Sequence, residues 1–281
     1  MSKLARLDDR ALIRVSGPEA RAFLNRLLSQ EVETLVEGEA RFAALLSPQG
    51  RVLHELFLHG EEDGVLVDAP AGNRDGLMAR LRMFKLRAAV EIAADDRPVW
   101  ALWDAASAPA PWRRDPRTPL AGWRLAGDPP ASPGAEPGLY ADHRLALGLP
   151  DAAADGLADK AYATELLHDL LAGVDYRKGC FVGQETTSRM KRRGGVRSRV
   201  LPLETDAPAG SEVLAGTLRA GEVTASHGGR ALALLRLDRI GGALEADGRP
   251  ARVMRPPWWP DGEPPFAEDG AIRHEAETGT A

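Results

Sequence analysis

Apolar and polar positions change period several times along the chain, and each change marks an element. The run ALIRV at 11–15 is short and mostly apolar, as in a buried strand. SGPEARAFLNRLLSQEV follows at once. Phe23, Leu24, Leu27 and Leu28 share one face at helical spacing, Ser16 with Glu19 has the form of a capping box, and Pro18 suits a first turn. ARFAALLSPQGRVLHELFLHGEEDGVLVDAP reads as an antiparallel meander turning at 47–50 and 61–64. Leu77, Leu81 and Phe84 predict a further helix, and AAVEI (88–92) and PVWALWD (98–104) further strands. Strands and helices intermixed in this way define an α+β class.

From 105 to 138 the chain is rich in Ala, Pro and Gly and reads as loop, with DPRTPLAGWRL the segment inside it suited to a strand. ADKAYATELLHDLLAGV carries Tyr162, Leu166, Leu167, Leu170 and Leu171 at helical spacing and predicts an amphipathic helix ending near Gly173. After Val200, short apolar runs alternate with Gly/Pro turns, the pattern of a small antiparallel barrel. The expected layout is two α+β subdomains over 1–199, a barrel over 200–260, and an acidic tail over 261–281 expected to be disordered.

Composition narrows the picture. With 281 residues, 44% hydrophobic and 27% charged, the chain reads as globular and large enough to bury a core without staples. One Cys makes no internal disulfide, which fits a reducing compartment, and the N-terminus lacks the apolar core of a signal peptide, so a cytoplasmic protein is expected. No apolar run is as long as a membrane span. A net charge of −5 argues against a general polyanion binder. The charge is uneven, however: eight Lys/Arg stand against one acid, Glu185, between 177 and 199.

Several motifs are absent or fail. No P-loop, G-x-G-x-x-G or G-x-S-x-G pattern occurs. In HELFLH, His54 and His59 are one residue too far apart for a helical zinc motif, and on a strand they face opposite ways. No metal site is expected, and one thiol alone does not ligate an iron–sulfur cluster.

The chemistry concentrates in RKGCFVGQETTSRMKRRGG (177–195), which holds the one thiol. Gly179 and Gly183 allow positive φ and close backbone approach around Cys180. Nearby cations lower a thiol's pKa, so Cys180 reads as an accessible, activated thiol beside an anion site or, with equal weight, as a small buried residue packed beside Phe181. Gln184 and Glu185 could bind the N–H edge of a pterin or cap a helix. The basic run, Arg189, Lys191, Arg192 and Arg193, could hold the tail of a folate or an RNA, or be a solvated charged face. Few aromatics are interleaved with it, so nucleic acid is the weaker partner.

Lys178, Gly179, Cys180, Phe181, Gly183, Gln184 and Glu185 match K-G-C-[FY]-x-G-Q-E, and the chain thereby resembles the YgfZ family, folate-binding, iron–sulfur-associated relatives of the glycine-cleavage T-protein. LLSPQGRVLHELFL, RMFKLRAAVEI and HRLALGLPD agree, and the resemblance runs from about 4 to 259. It implies a T-protein-like fold of three subdomains around a central cleft for tetrahydrofolate, ending in the barrel. It also implies an accessory role in iron–sulfur cluster assembly or repair, with iron–sulfur enzymes or assembly machinery as transient partners. Cys180 would be nucleophile, redox handle or transient cluster ligand. Lys178 and Arg189 would hold the thiolate and the folate carboxylates, with Gln184, Glu185, Glu165 and Arg144 as further folate contacts. Glu55 stands where the family usually has Asp. It would be either a cleft-lining acid with a raised pKa or, in the preferred reading, a strand Glu reaching solvent. Ala146 replaces the pterin carboxylate of true aminomethyltransferases, which disfavours one-carbon transfer, the main alternative. An RNA-modification partner is the third.

Overall fold

The structure is a computed structural model that describes residues 2–129, 138–192, 196–267 and 269–272. The meander and its neighbours form a five-stranded antiparallel sheet, ordered β3 (Ala40–Leu46), β4 (Val52–Glu61), β5 (Gly64–Pro70), β2 (Arg10–Ser16) and β6 (Glu91–Asp95). Helices α1 (Ala20–Leu27) and α2 (Arg74–Lys85) close one face, and Ile13, Val15, Phe23, Leu24, Leu56, Leu58, Leu77 and Leu81 pack there. The other face is also covered, which is why β4 is buried at nearly every position instead of at alternate ones.

Part of that cover is a second sheet, ordered β1 (Lys3–Arg6), β7 (Val99–Trp103), β9 (Trp123–Ala126) and β8 (Arg113–Arg114), whose Val99, Ala101 and Trp103 pack on Leu12 and Leu66 of the first. Within DPRTPLAGWRL, only Trp123–Leu125 extend as strand; Pro119–Ala121 form a single 3₁₀ turn capped by Thr118. Helices α3 (Leu139–Ala146) and α4 (Gln184–Arg192) flank the way to the closed barrel. Its strands are β10 (Ser198–Glu204), β11 (Glu212–Ala215), β12 (Leu218–His227), β13 (Arg230–Arg236), β14 (Leu244–Ala246) and β15 (Arg249–Val253), in the order β10-β13-β12-β11-β14-β15, with β15 pairing back to β10.

Three expectations are revised. The capping box does not form: Ser16 pairs within the sheet and the Glu19 carboxylate accepts from the Ala89 N–H at 2.5 Å. Residues 158–173 are a succession of turns and not a helix. Leu167 (φ 63°) and Ala172 (φ 54°) adopt left-handed backbone, and the leucines serve different cores, Leu166 beside β4 and β10, Leu167 and Leu171 toward the barrel. A straight helix has one apolar stripe and cannot serve both. The tail does not come loose at 261. Phe266 is 1% exposed, packs edge-on to Trp259 at 5.3 Å, and pairs across a bridge with Ile272. Expectations for 273–281, and for Arg193 in the basic run, lie outside the described residues.

Candidate functional site

The signature loop is anchored on both sides of its thiol. Lys178 is buried, and its ammonium donates to three carbonyls, Asn25 O (2.6 Å), Leu28 O (2.8 Å) and Gln30 O (2.8 Å), where α1 ends. Burial lowers its pKa to about 8, against the opposing pull of Glu31, Asp175 and Glu33. Phe181 is buried beside Leu46 and Val52. Gly183 sits at φ 80° with the turn at 47–50 pressed against it, so that a Cβ there would lie 2.6 Å from Ser47 O. The two signature stretches therefore meet in space, loop against hairpin turn. Gly179 is different: a Cβ there would meet nothing within 4 Å among the described residues. Between these anchors Cys180 is exposed. The thiol is presented outward by a loop whose neighbours point in.

Gln184 begins α4 and its amide reaches Gly179 O at 3.5 Å, while Glu185 and Arg189 are exposed on the same helix beside an open depression shared with Ser188 and Arg192. The basic run is partly neutralised, since Asp169 takes Arg199 at 2.8 and 2.9 Å and Lys191 at 3.3 Å.

A second feature lies elsewhere. Where the two sheets and α3 converge is a chamber of about 240 Å³ lined by Arg10, Phe57, Arg117, Arg124, Tyr140 and Asp151, with Arg144 at its edge. Asp68 of β5, fully buried, accepts from Arg10 Nε and Arg124 Nη2, both at 2.6 Å, so one carboxylate joins the two sheets. Burial alone would raise its pKa, but the two guanidiniums outweigh burial and hold it to about 2. Asp115 takes Arg117 at 2.8 and 3.0 Å, and Tyr140 Oη accepts from Arg117 (2.7 Å) and Arg124 (3.3 Å). The Phe57 ring lies 3.7 Å from the Arg124 guanidinium carbon. Asp151 accepts from the Ala153 and Ala154 N–H groups at 3.0 Å, leaving its second oxygen 3.9 Å from Arg10.

The residues singled out by sequence thus separate. Cys180, Lys178, Gln184, Glu185 and Arg189 belong to the loop and α4, not to the chamber lining. Of the expected folate contacts only Arg144 borders the chamber, and its guanidinium is engaged by Asp155 (2.5 and 3.1 Å) and Leu149 O (3.2 Å). Glu165 accepts from the Tyr162 N–H at 2.9 Å, with a pKa raised by burial, and touches neither feature. Glu55 does not reach solvent: it is 4% exposed, accepts from the Ala152 N–H at 2.5 Å, and lies 2.8 Å from His168 Nε2. It braces β4 to the turn-rich segment. Ala146 faces a cleft against the barrel instead of the chamber. Asp151 closes the family-like stretch HRLALGLPD, and Arg117 and Arg124 lie in the family-like stretch DPRTPLAGWR, but the sequence reading singles out none of the three; a further local signal is Asp68, a carboxylate inside the apolar run GVLVDAP. Among the described residues, no three His, Cys, Asp or Glu side chains cluster as for a metal ion, and no helix is long and apolar enough to cross a membrane.

Two sheets, a central chamber and a terminal barrel define a T-protein-like protein. The aminomethyltransferase T of the glycine cleavage system from Bartonella henselae superposes with a TM-score of 0.73 over 97% of this chain and 88% of that one, at 18% identity. Residues 197–261 match the CAF17 C-terminal beta-barrel domain. The human protein named iron-sulfur cluster assembly factor IBA57, mitochondrial, is 30% identical over 301 aligned positions, covering 91% of this chain and 85% of its own length. The corresponding Mus musculus protein is also 30% identical, and the Pyricularia oryzae homologue is 33% identical over 70% of this chain and 56% of its own length. The chain belongs to the IBA57 family. The resemblance to YgfZ proteins accordingly holds at the coarser level of GcvT-like iron–sulfur assembly factors. The expectation of a cytoplasmic protein does not stand, because these relatives are by name mitochondrial.

Proposed function

We propose that this protein is an iron–sulfur cluster assembly or repair factor that offers Cys180 as an external ligand to a cluster in transit. The exposed thiol, held outward between the buried anchors Lys178 and Phe181, carries this reading. The function in the relatives' names, iron–sulfur cluster assembly, supports it. One thiolate is too few for a cluster, so the remaining ligands come from the protein that receives or delivers it. The cluster is cargo here.

A tetrahydrofolate is the proposed occupant of the chamber. Asp151 offers a carboxylate oxygen to the N–H edge of a reduced pteridine, and exposed Arg6 suits the anionic tail. The chamber is smaller than the ~300–1,000 Å³ of drug-sized pockets, so it admits the ring system while the tail leaves by the mouth near Arg6 and Asp8. When bound, such a group supplies one-carbon carrier chemistry; the residues here bind and orient it.

The test is anaerobic cluster transfer from a cluster-loaded donor protein to an apo iron–sulfur dehydratase, with and without this protein. Cys180→Ser is expected to fold normally, the side chain being exposed, and to lose transfer. Wild-type rates in that variant would refute the role of Cys180. Tryptophan fluorescence on titration with tetrahydrofolate tests the chamber separately, and no saturable change would remove folate from the account.

A further inference from the structure

One face of α1, together with the end of α2 and the residues after it, lines an open groove of about 360 Å³ whose walls include Leu27, Phe84 and Leu86 with Arg26, Lys85 and Arg87. Three observations single it out. First, one apolar residue of its wall faces water: Leu86 is 88% exposed, and Met83 nearby on α2 is 64% exposed. Second, Leu86 is strained. It lies at φ 47°, ψ −110°, and the Ala88 N–H donates to Lys85 O at 2.9 Å across it. That is the geometry of the first central position of a type II′ turn, where glycine is the fitting residue. A leucine held in a glycine's conformation, with its side chain in solvent, gains nothing for the fold; strain of this kind gathers at functional surfaces. Third, the side chains of Arg26, Lys85 and Arg87 have no ion-pair or hydrogen-bond partner among the described residues. The one acid on the groove wall, Glu19, is engaged by the Ala89 N–H.

The groove also adjoins the signature loop. Lys178 grips the Asn25 and Leu28 carbonyls, which flank Arg26 and Leu27 of the groove wall. Val182 packs against the same core as Phe84 and Ala88.

We propose that this groove docks an acidic amphipathic segment of the protein that shares the cargo at Cys180, with an apolar side chain of the partner seated against Phe84 and Leu86 and its flanking carboxylates paired with Arg26, Lys85 and Arg87. The partner's identity rests on the assembly reading above; the binding itself does not. Apolar contact supplies an anchor, and the unpaired cations supply steering and selection against basic partners.

The experiment uses the full chain and a short fluorescent helical peptide with leucines on one face and glutamates beside them, followed by anisotropy. A matched peptide carrying lysine for glutamate is the control. Saturable binding of the acidic peptide, weakened by added salt and absent for the basic one, is expected. Leu86→Gly should weaken binding about tenfold while raising the melting temperature, because it relieves the strained turn and cannot be dismissed as misfolding. Arg87→Glu should weaken binding at unchanged stability. Cys180→Ser should bind the peptide as wild type does, which separates this proposal from the role of the thiol. Equal binding of both peptides, no saturable binding up to millimolar concentration, or unchanged binding in Leu86→Gly would overturn it. Concentration-dependent dimers lost in Leu86→Gly would overturn it too, by assigning the groove to a second copy.

Discussion

Lys178 and Cys180 are two residues apart and face opposite ways, and their environments explain why. An ammonium can be buried only where acceptors satisfy it, and three carbonyls do so. The exposed thiol needs no partner. At the same scale, two buried histidines contribute to the acid response. Burial lowers the pKa of His54 to about 4, with Arg80 adding to the shift, and that of His59 to about 3. Neither ring nitrogen of His59 has a hydrogen-bond partner among the described residues. Both groups start from 6.5 in the unfolded chain, so below that value the unfolded state binds more protons and stability falls with pH; the loss is complete once pH drops below the folded pKa values. Urea midpoints should therefore decline from pH 6.5 toward pH 3, by an amount on the order of a few kcal/mol. His59→Phe should shrink that decline and leave stability near neutrality unchanged or about 1 kcal/mol higher, since it removes an unsatisfied buried polar group. An undiminished acid decline in that variant would show that His59 is not its source.

Elements show how one motif assigns different work to similar residues. The two glycines beside Cys180 look equivalent in KGCFVG, yet one is held against the 47–50 turn at positive φ and the other borders open space. Gly183→Ala should cost about 1–3 kcal/mol, and Gly179→Ala within about 0.5 kcal/mol, in chemical denaturation. Equal costs would mean that the loop does not dock on the hairpin as described. The meander, both helices of the first subdomain and the barrel were legible from period and turn residues, because those signals are local. The segment at 158–173 was not. Its leucine spacing is helical, but the residues are divided between two cores, and that division exists only after the barrel and the first sheet have come together.

At the scale of the whole molecule, Asp68 is the joint. It links β2 and β9, from different sheets, and the resulting guanidinium cluster forms the chamber wall. Removing its charge strands two buried arginines. Asp68→Asn should cost about 3–5 kcal/mol, read as a drop in urea midpoint, with loss of the tetrahydrofolate fluorescence change. A stable variant with wild-type titration would show that the joint neither holds the sheets nor shapes the chamber. The thiol and the chamber are separate features, and only the assembled chain reveals this.

What the sequence determined by itself was whatever neighbours along the chain can specify: strand and helix periods, the barrel's turns, the signature loop with its single thiol. What tertiary structure decided was every pairing between distant residues. Lys178 finds its carbonyls 148 to 153 positions away, Glu55 finds His168 113 positions away, and Asp68 gathers arginines 56 and 58 positions away. Periodicity shows which face of an element is buried. Which partner waits for a buried charge depends on how the layers stack, and no local pattern contains that information.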